Sequence, residues 1–230
     1  MTAQNQLIES LPRADRLHLI AACEPVWLLQ DEVLALRGQT LKRAHFPLDG
    51  AISLTIQTDA HLALEVGLVG REGMLGAHGL LGATGGAPTQ AAVQSPGAAL
   101  RIGAPALRRE LARSAALRRV LGRYIGVHLE QLALAVACRR FHLIGPRLAR
   151  WLLMTQDRAA ADHFHVTHEF LAQMLGVRRV GITMAAGELQ RAGLIRYHRG
   201  ELAVLDRPGL EAAACSCYAA DGLAYRRRMG

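Results

Sequence analysis

The sequence predicts an α+β chain with an N-terminal β-roll, one long helix and a C-terminal winged helix-turn-helix. Three observations predict it. The first hundred residues break into short extended runs punctuated by glycine, residues 114–141 form an alanine- and leucine-rich helical stretch, and residues 167–193 have the spacing of two helices joined by a tight turn. At 230 residues the chain is long enough to bury a core without disulfides or metals.

In the first segment the extended runs are Val26–Gln30, Val33–Leu36, His45–Ile56, Leu62–Val69 and Gln90–Ile102, with turn signals at Leu48-Asp49-Gly50, Val69-Gly70-Arg71 and Ser95-Pro96-Gly97. Ser53, Thr55 and Gln57 alternate with Ile52, Leu54 and Ile56, the period-2 pattern of a half-buried strand. An antiparallel barrel or double-sheet roll accommodates these runs.

Pro105 suits the first turn of a helix, and the long stretch from Ser114 to Phe141 follows. Its heptad positions Leu117, Tyr124, Gln131 and Cys138 interleave with Val120, Val127 and Leu134, while Leu121, Ile125, Leu129, Leu132 and Val136 widen the apolar surface. A helix apolar on two sides must bury both. The expectation is that one side lies on the roll and that Leu117, Val120, Tyr124, Val127, Gln131, Leu134 and Cys138 form the seam with a second copy of the chain. Gly145-Pro146 ends the stretch, and Arg147–Gln156 begins an amphipathic helix with Leu148, Trp151 and Leu152 inward. The predicted division is 1–112 for a sensing roll, 113–141 for a dimerisation helix and 142–230 for a DNA-binding domain.

Within Thr167–Gly193, Phe170, Leu171, Met174 and Leu175 line one helix, Gly176 permits the turn, Val177 plugs the angle, and Ile182, Ala186 and Leu189 face inward from the second helix. The outward face of the second helix opens with Arg178, Arg179, Val180, Thr183 and Met184. An arginine pair at a helix start suits the DNA major groove, with Thr167 and Gln173 as helpers from the first helix. The hairpin Ile195–Val204, with His198 and Arg199 at its tip, has the form of a wing touching the adjacent phosphates.

Charge agrees with this division. The net charge is +8, but residues 1–100 carry −3 and residues 101–230 carry +11, an acidic module joined to a binder of polyanions. With 51% hydrophobic and 4% aromatic residues, the chain is neither a disordered polar segment nor an aromatic-rich carbohydrate module. It lacks a run of about 18 apolar residues and a basic-then-apolar N-terminus, and its four cysteines form no disulfide framework. A cytoplasmic protein with no membrane partner is expected.

Along essentially its whole length the chain resembles the CRP/FNR family of bacterial transcription regulators, most specifically in FPLDGAISL (Phe46–Leu54), RLARWLLM (Arg147–Met154) and LAQMLGVRRVGITMAAGELQRAGLI (Leu171–Ile195). The resemblance implies a cyclic-nucleotide-binding-like β-roll, a dimerisation helix and a winged helix that binds an inverted-repeat operator as a homodimer. It also implies contact with RNA polymerase if the protein activates. No enzymatic role is implied.

Departures from the family pattern narrow the signal. Cyclic-AMP-binding members carry Gly-Glu and Arg-Ser in the phosphate cassette, whereas this chain has Gly76-Ala77-His78-Gly79 and Pro88-Thr89-Gln90-Ala91. A cyclic phosphate would lack its charge partner. Leu132 and Ala133 stand where those members place adenine-reading hydroxyls. The effector pocket mapped by resemblance is therefore Gly76, His78, Thr89, Gln90, Leu132 and Ala133, and cyclic AMP does not suit it. An iron–sulfur cluster needs several cysteines, and this half offers only Cys23 and Cys138. His78 lies near the axial histidine of a haem-binding relative, but a lone histidine is more often packed or solvated. Neither haem nor cluster is expected. In the reading helix Arg179 matches the family's first arginine, while Val180 and Met184 replace the glutamate and second arginine, so the familiar operator does not transfer.

Other signals point nowhere in particular. His163, His165 and His168 read as solvated, and His168-Glu169 lacks the second histidine of a zinc-protease motif, Ala172 standing there. Cys215-Ser216-Cys217 is one pair and cannot alone complete a tetrahedral site, so no metal is expected. Arg226-Arg227-Arg228 reads as a flexible end, and the small-residue loop Gly82–Ala87 lacks the lysine and helix of a phosphate cradle. The rival to a DNA-binding regulator is a ligand-binding roll whose basic half docks on RNA or a protein partner.

Overall fold

The computed structural model describes residues 5–58, 63–81, 86–159 and 161–230. Most of the small-residue loop near 82–87 lies outside them. Two compact units emerge: one holds the chain up to Leu54 with Leu68–Leu129 and Tyr225–Gly230, the other Thr55–Gly67 with Glu130–Ala224.

The first unit begins with two helices that hydrophobic periodicity did not announce, α1 (Gln6–Glu9) and α2 (Arg13–Ala21). Asn5 explains the first. Its Oδ1 accepts from the amides of Leu7 and Ile8, and its buried Nδ2 donates to the carbonyls of Pro47 (2.8 Å) and Gly73 (2.9 Å), so every polar atom of the cap has a partner. The strands are β1 (Glu24–Leu28), β2 (Val33–Ala35), β3 (Arg43–Pro47), β4 (Ala51–Ile56), β5 (Leu64–Val69), β6 (Gln90–Ser95) and β7 (Gly97–Gly103). The long runs 45–56 and 90–102 each split at their turn signals. Antiparallel β1-β7-β3 forms one sheet, pairing Phe46 with Leu100 and Val26 with Ala99, and β2-β6-β4-β5 forms the other.

Helix α3 (Ala104–Arg113) carries Pro105 in its first turn as predicted. Ser114 then caps α4 (Ala115–Phe141), its Oγ accepting from the Leu117 amide at 3.0 Å. In the first unit, Leu117, Leu121 and Tyr124 of α4 pack with Leu7, Ile8, Phe46, Met74 and Leu100.

That packing bears on the predicted dimer seam. Leu117, Tyr124, Val127 and Cys138 are buried within a single chain, and Val120, Gln131 and Leu134 are half-buried. Much of this row is therefore already covered within one chain. The other apolar row is Gly122, Ile125, Leu129, Leu132 and Val136, at alternating spacings of three and four; Gly122, Leu129 (62%) and Val136 (69%) are exposed, while Ile125 and Leu132 are half-buried.

The second unit contains α5 (Ile144–Ala159), β8 (His163–His165), α6 (His168–Leu175), α7 (Arg179–Arg191), β9 (Ile195–His198), β10 (Glu201–Val204), α8 (Arg207–Ala213) and most of α9 (Cys217–Met229). Gly145-Pro146 starts α5 rather than forming a loop, since proline fits a first helical turn. Leu148, Trp151, Leu152, Leu171, Leu175, Ile182 and Leu189 are buried in one core. The inward residues predicted for three helices thus meet. Arg226, Arg227 and Arg228 form the last turn of α9, a favourable place for cations, instead of a loose end.

Candidate nucleic-acid interface

Thr167 caps α6, its Oγ1 accepting from the Phe170 amide at 3.1 Å. A hydroxyl the sequence assigned to the nucleic acid therefore also holds the helix start. Helix α6 ends at Gly176, whose φ of 64° is the left-handed cap that glycine adopts without strain. A Cβ there would come within 2.6 Å of Leu64 Cδ1, the movable end of a side chain, so it is the backbone conformation that favours glycine.

After the turn, Arg178 is the N-cap of α7 and offers no side-chain cap, leaving the first amides of a 13-residue helix without a side-chain acceptor. Arg178, Arg179, Val180, Thr183 and Met184 are all exposed, and Val180 and Met184 are 62% and 64% accessible. Among the described residues neither Arg178 nor Arg179 makes an ion pair. The positive end of the helix dipole and two free guanidiniums share one surface with two apolar side chains. Gln173 is half-buried on α6.

The wing is a two-residue hairpin. Arg199 (φ 50°) and Gly200 (φ 86°) both have positive φ, the pattern of a type I′ turn, and β10 pairs with β9 on one side and β8 on the other. His198 and Arg199 are exposed at its tip. The ring of His168 stacks on Tyr197 of β9 at 4.5 Å between centroids, and its Nδ1 lies 3.0 Å from Thr183 Oγ1. Burial, then the charge of Arg179, holds the His168 pKa below the usual imidazole value. His165 pairs with Glu201 at 2.8 Å. His165 and His168 therefore serve separate contacts, and among the described residues the histidines of 163–168 form no metal-ligating group.

The residues mapped to an effector pocket do not all come together. Gly76 and His78 border a cavity of about 90 Å³ with Leu41, Ala44, Leu107 and Leu111, and burial lowers the His78 pKa. Thr89 and Gln90, half-buried at the start of β6, do not line it. On α4, Leu132 is half-buried and Ala133 exposed.

One group escaped the sequence reading. Cys215 and Cys217, one pair in the sequence, meet Cys138 and His142, so that four donor atoms lie within 4.8 Å of one another. The signal in the sequence was the i, i+4 spacing of Cys138 and His142 on one helical face.

Residues 146–213 match the family model of the Crp-like helix-turn-helix domain. Among solved structures, the chain is similar to the c-di-GMP-responsive global regulator CLP of Xanthomonas campestris (15% identity, TM-score 0.68, covering 84% of this chain and 99% of that one). FixK2 of Bradyrhizobium japonicum gives 13% identity and a TM-score of 0.69, with 84% and 98% covered. A CRP/FNR-family transcriptional regulator of Thermus thermophilus gives 24% identity and 0.64, with 83% and 98% covered. No curated protein matches the sequence significantly. Residues 146–213 are thus similar to Crp-like helix-turn-helix domains, and the chain has the fold seen in the solved CRP/FNR-family regulators.

Proposed function

We propose that the chain is a homodimeric, sequence-specific DNA-binding transcription regulator that reads duplex DNA with α7. The observation that carries this reading is the exposed face of Arg178, Arg179, Val180, Thr183 and Met184 on a helix with an uncapped N-terminus. A guanidinium with no ion pair among the described residues is available for guanine or phosphate, and Val180 and Met184 suit a thymine methyl. His198 and Arg199 on the wing suit the neighbouring phosphates. The +11 carried by residues 101–230 supplies sequence-independent attraction.

For the dimer, the row from Gly122 to Val136 on α4 has coiled-coil spacing and needs a partner. Two copies joined there would present two reading helices to successive major grooves, about 34 Å apart. The roll is the sensing element, and a signal bound there shifts the population of dimers competent for DNA. The cavity beside Gly76 and His78, about 90 Å³, is well below the roughly 300 Å³ at the lower end of ligand pockets, which argues against a nucleotide at that spot. RNA polymerase is a further partner if the protein activates.

The test is selection of bound sequences from random duplex DNA by the purified protein at several salt concentrations, without ligand and with cyclic AMP or c-di-GMP. An enriched inverted repeat is expected, with a half-site spacing near one helical turn. Salt-sensitive binding with no motif under any condition, or preference for RNA, would overturn the reading in favour of a basic half that docks on RNA or a protein.

A further inference from the structure

In the second unit, four soft donor groups come from two distant parts of the chain. Cys138 stands in the last turn of α4 and His142 one turn later, just past its end. Cys215 and Cys217 flank Ser216 where α8 gives way to α9. Cys138 Sγ lies 3.6 Å from Cys215 Sγ, and Cys217 Sγ lies 3.5 Å from His142 Nδ1. The three cysteines are buried and His142 is half-buried.

We propose that Cys138, His142, Cys215 and Cys217 form a tetrahedral Cys₃His site for a single Zn²⁺ ion. Zinc bonds of about 2.3 Å to sulfur and about 2.0–2.1 Å to nitrogen give tetrahedral edges of roughly 3.8 Å between two sulfurs and roughly 3.6 Å between sulfur and nitrogen. Two of the six observed edges, Cys138–Cys215 and Cys217–His142, are 3.6 and 3.5 Å, and all six fall within 4.8 Å. Three thiolates and an imidazole are the donor set of a closed structural zinc site. An iron–sulfur cluster spreads its ligands over several irons, so four donors within 4.8 Å suit one ion better. A Cys138–Cys215 disulfide would account for two of the four groups and leave the approach of Cys217 to His142 unexplained.

The surroundings are consistent with a complex of net charge −1. The positive charge of Arg150 acts on Cys138 and Cys217, and that of Arg147 is coupled to Cys138 and Cys215. Arg150 is held in place by Asp221 at 2.5 Å. The Cys215 amide also donates to the Pro146 carbonyl at 3.2 Å, so the ion would fasten the end of α4, the first turn of α5 and the start of α9 into one block. This inference does not depend on DNA binding.

The test uses the full chain, purified under reducing anaerobic conditions, stripped with a chelator and titrated with Zn²⁺ or Co²⁺. One ion per chain is expected, with the thiolate-to-cobalt charge-transfer and visible bands of a tetrahedral Co²⁺ complex. Cys217→Ser and His142→Ala, checked for folding by circular dichroism, should weaken Zn²⁺ binding by more than the roughly 10–100-fold typical of losing a supporting group. Cys23→Ser, at the one cysteine outside the group, should leave affinity unchanged. If Cys217→Ser fails to fold, His142→Ala serves alone. Substoichiometric uptake, an octahedral Co²⁺ spectrum, undiminished affinity in the folded ligand variants, or a Cys138–Cys215 disulfide in the anaerobic protein would each overturn the assignment.

Discussion

His168 Nδ1 and Thr183 Oγ1 lie 3.0 Å apart, joining the first residue of α6 to the second turn of α7. Because the His168 ring also stacks on Tyr197, one side chain touches both helices of the helix-turn-helix and its wing. Thr183→Val removes the hydroxyl while keeping the shape, and should lower stability by about 1 kcal/mol. Thr183→Ser, which retains the hydroxyl, should restore most of it. Chemical denaturation of the three proteins checks this, and equal loss in both variants would assign the effect to packing.

Arg179 is exposed and makes no ion pair among the described residues, so its removal should leave folding within about 0.5 kcal/mol of the parent. If it contacts a base bidentately, Arg179→Ala should weaken binding to the selected site by about 1–3 kcal/mol. Loss of sequence preference at one position marks a base contact. Uniform weakening, with a salt slope smaller by about 1, marks a phosphate contact. Fluorescence anisotropy on specific and scrambled duplexes distinguishes the two.

Much of the second unit was legible because its information is local. The interval from Phe170 through Gly176 to Leu189 fixes two helices and a turn by spacing alone, and Arg199-Gly200 fixes the hairpin. What was not legible depends on contacts across the chain. On α4, both the row from Leu117 to Cys138 and the row from Gly122 to Val136 are apolar, and only distant parts of the chain decide which is buried. Asn5 looks like an ordinary polar residue until Pro47 and Gly73 supply its acceptors. Cys138 and Cys215, 77 residues apart, give no sequence sign that they meet.

On the proposed reading, the two faces of α4 separate dimerisation from folding. Leu129→Glu with Val136→Glu changes exposed positions, so the chain should stay folded while like charges face each other across the seam. Sedimentation velocity should show a monomer with an unchanged circular dichroism spectrum. Val127→Glu places a carboxylate at a fully buried position and should cost more than about 3 kcal/mol of folding stability. A double variant that remained dimeric would put the partner on another surface.

His45 gives the roll a defined acid sensitivity. Its ring is buried on β3, Nδ1 has no hydrogen-bond partner among the described residues, and burial, followed by the nearby charge of Arg101, lowers its pKa to about 4. The folded state thus favours neutral imidazole, whereas the unfolded chain protonates near the ordinary value of about 6.5. The resulting stability is fully present above pH 6.5 and is lost as the pH falls toward 4, because the unfolded state then binds the extra proton. At pH 4.5 the loss from this residue should be about 2–3 kcal/mol, since each pKa unit is worth about 1.36 kcal/mol. His45→Gln cannot titrate, so urea unfolding at pH 7 and 4.5 should show a smaller acid penalty in the variant by that amount. NMR titration of the parent should place the ring's midpoint near 4. A midpoint near 6.5 would mean that the buried ring is accessible to protons in the native roll, and the acid penalty should then be the same in both proteins.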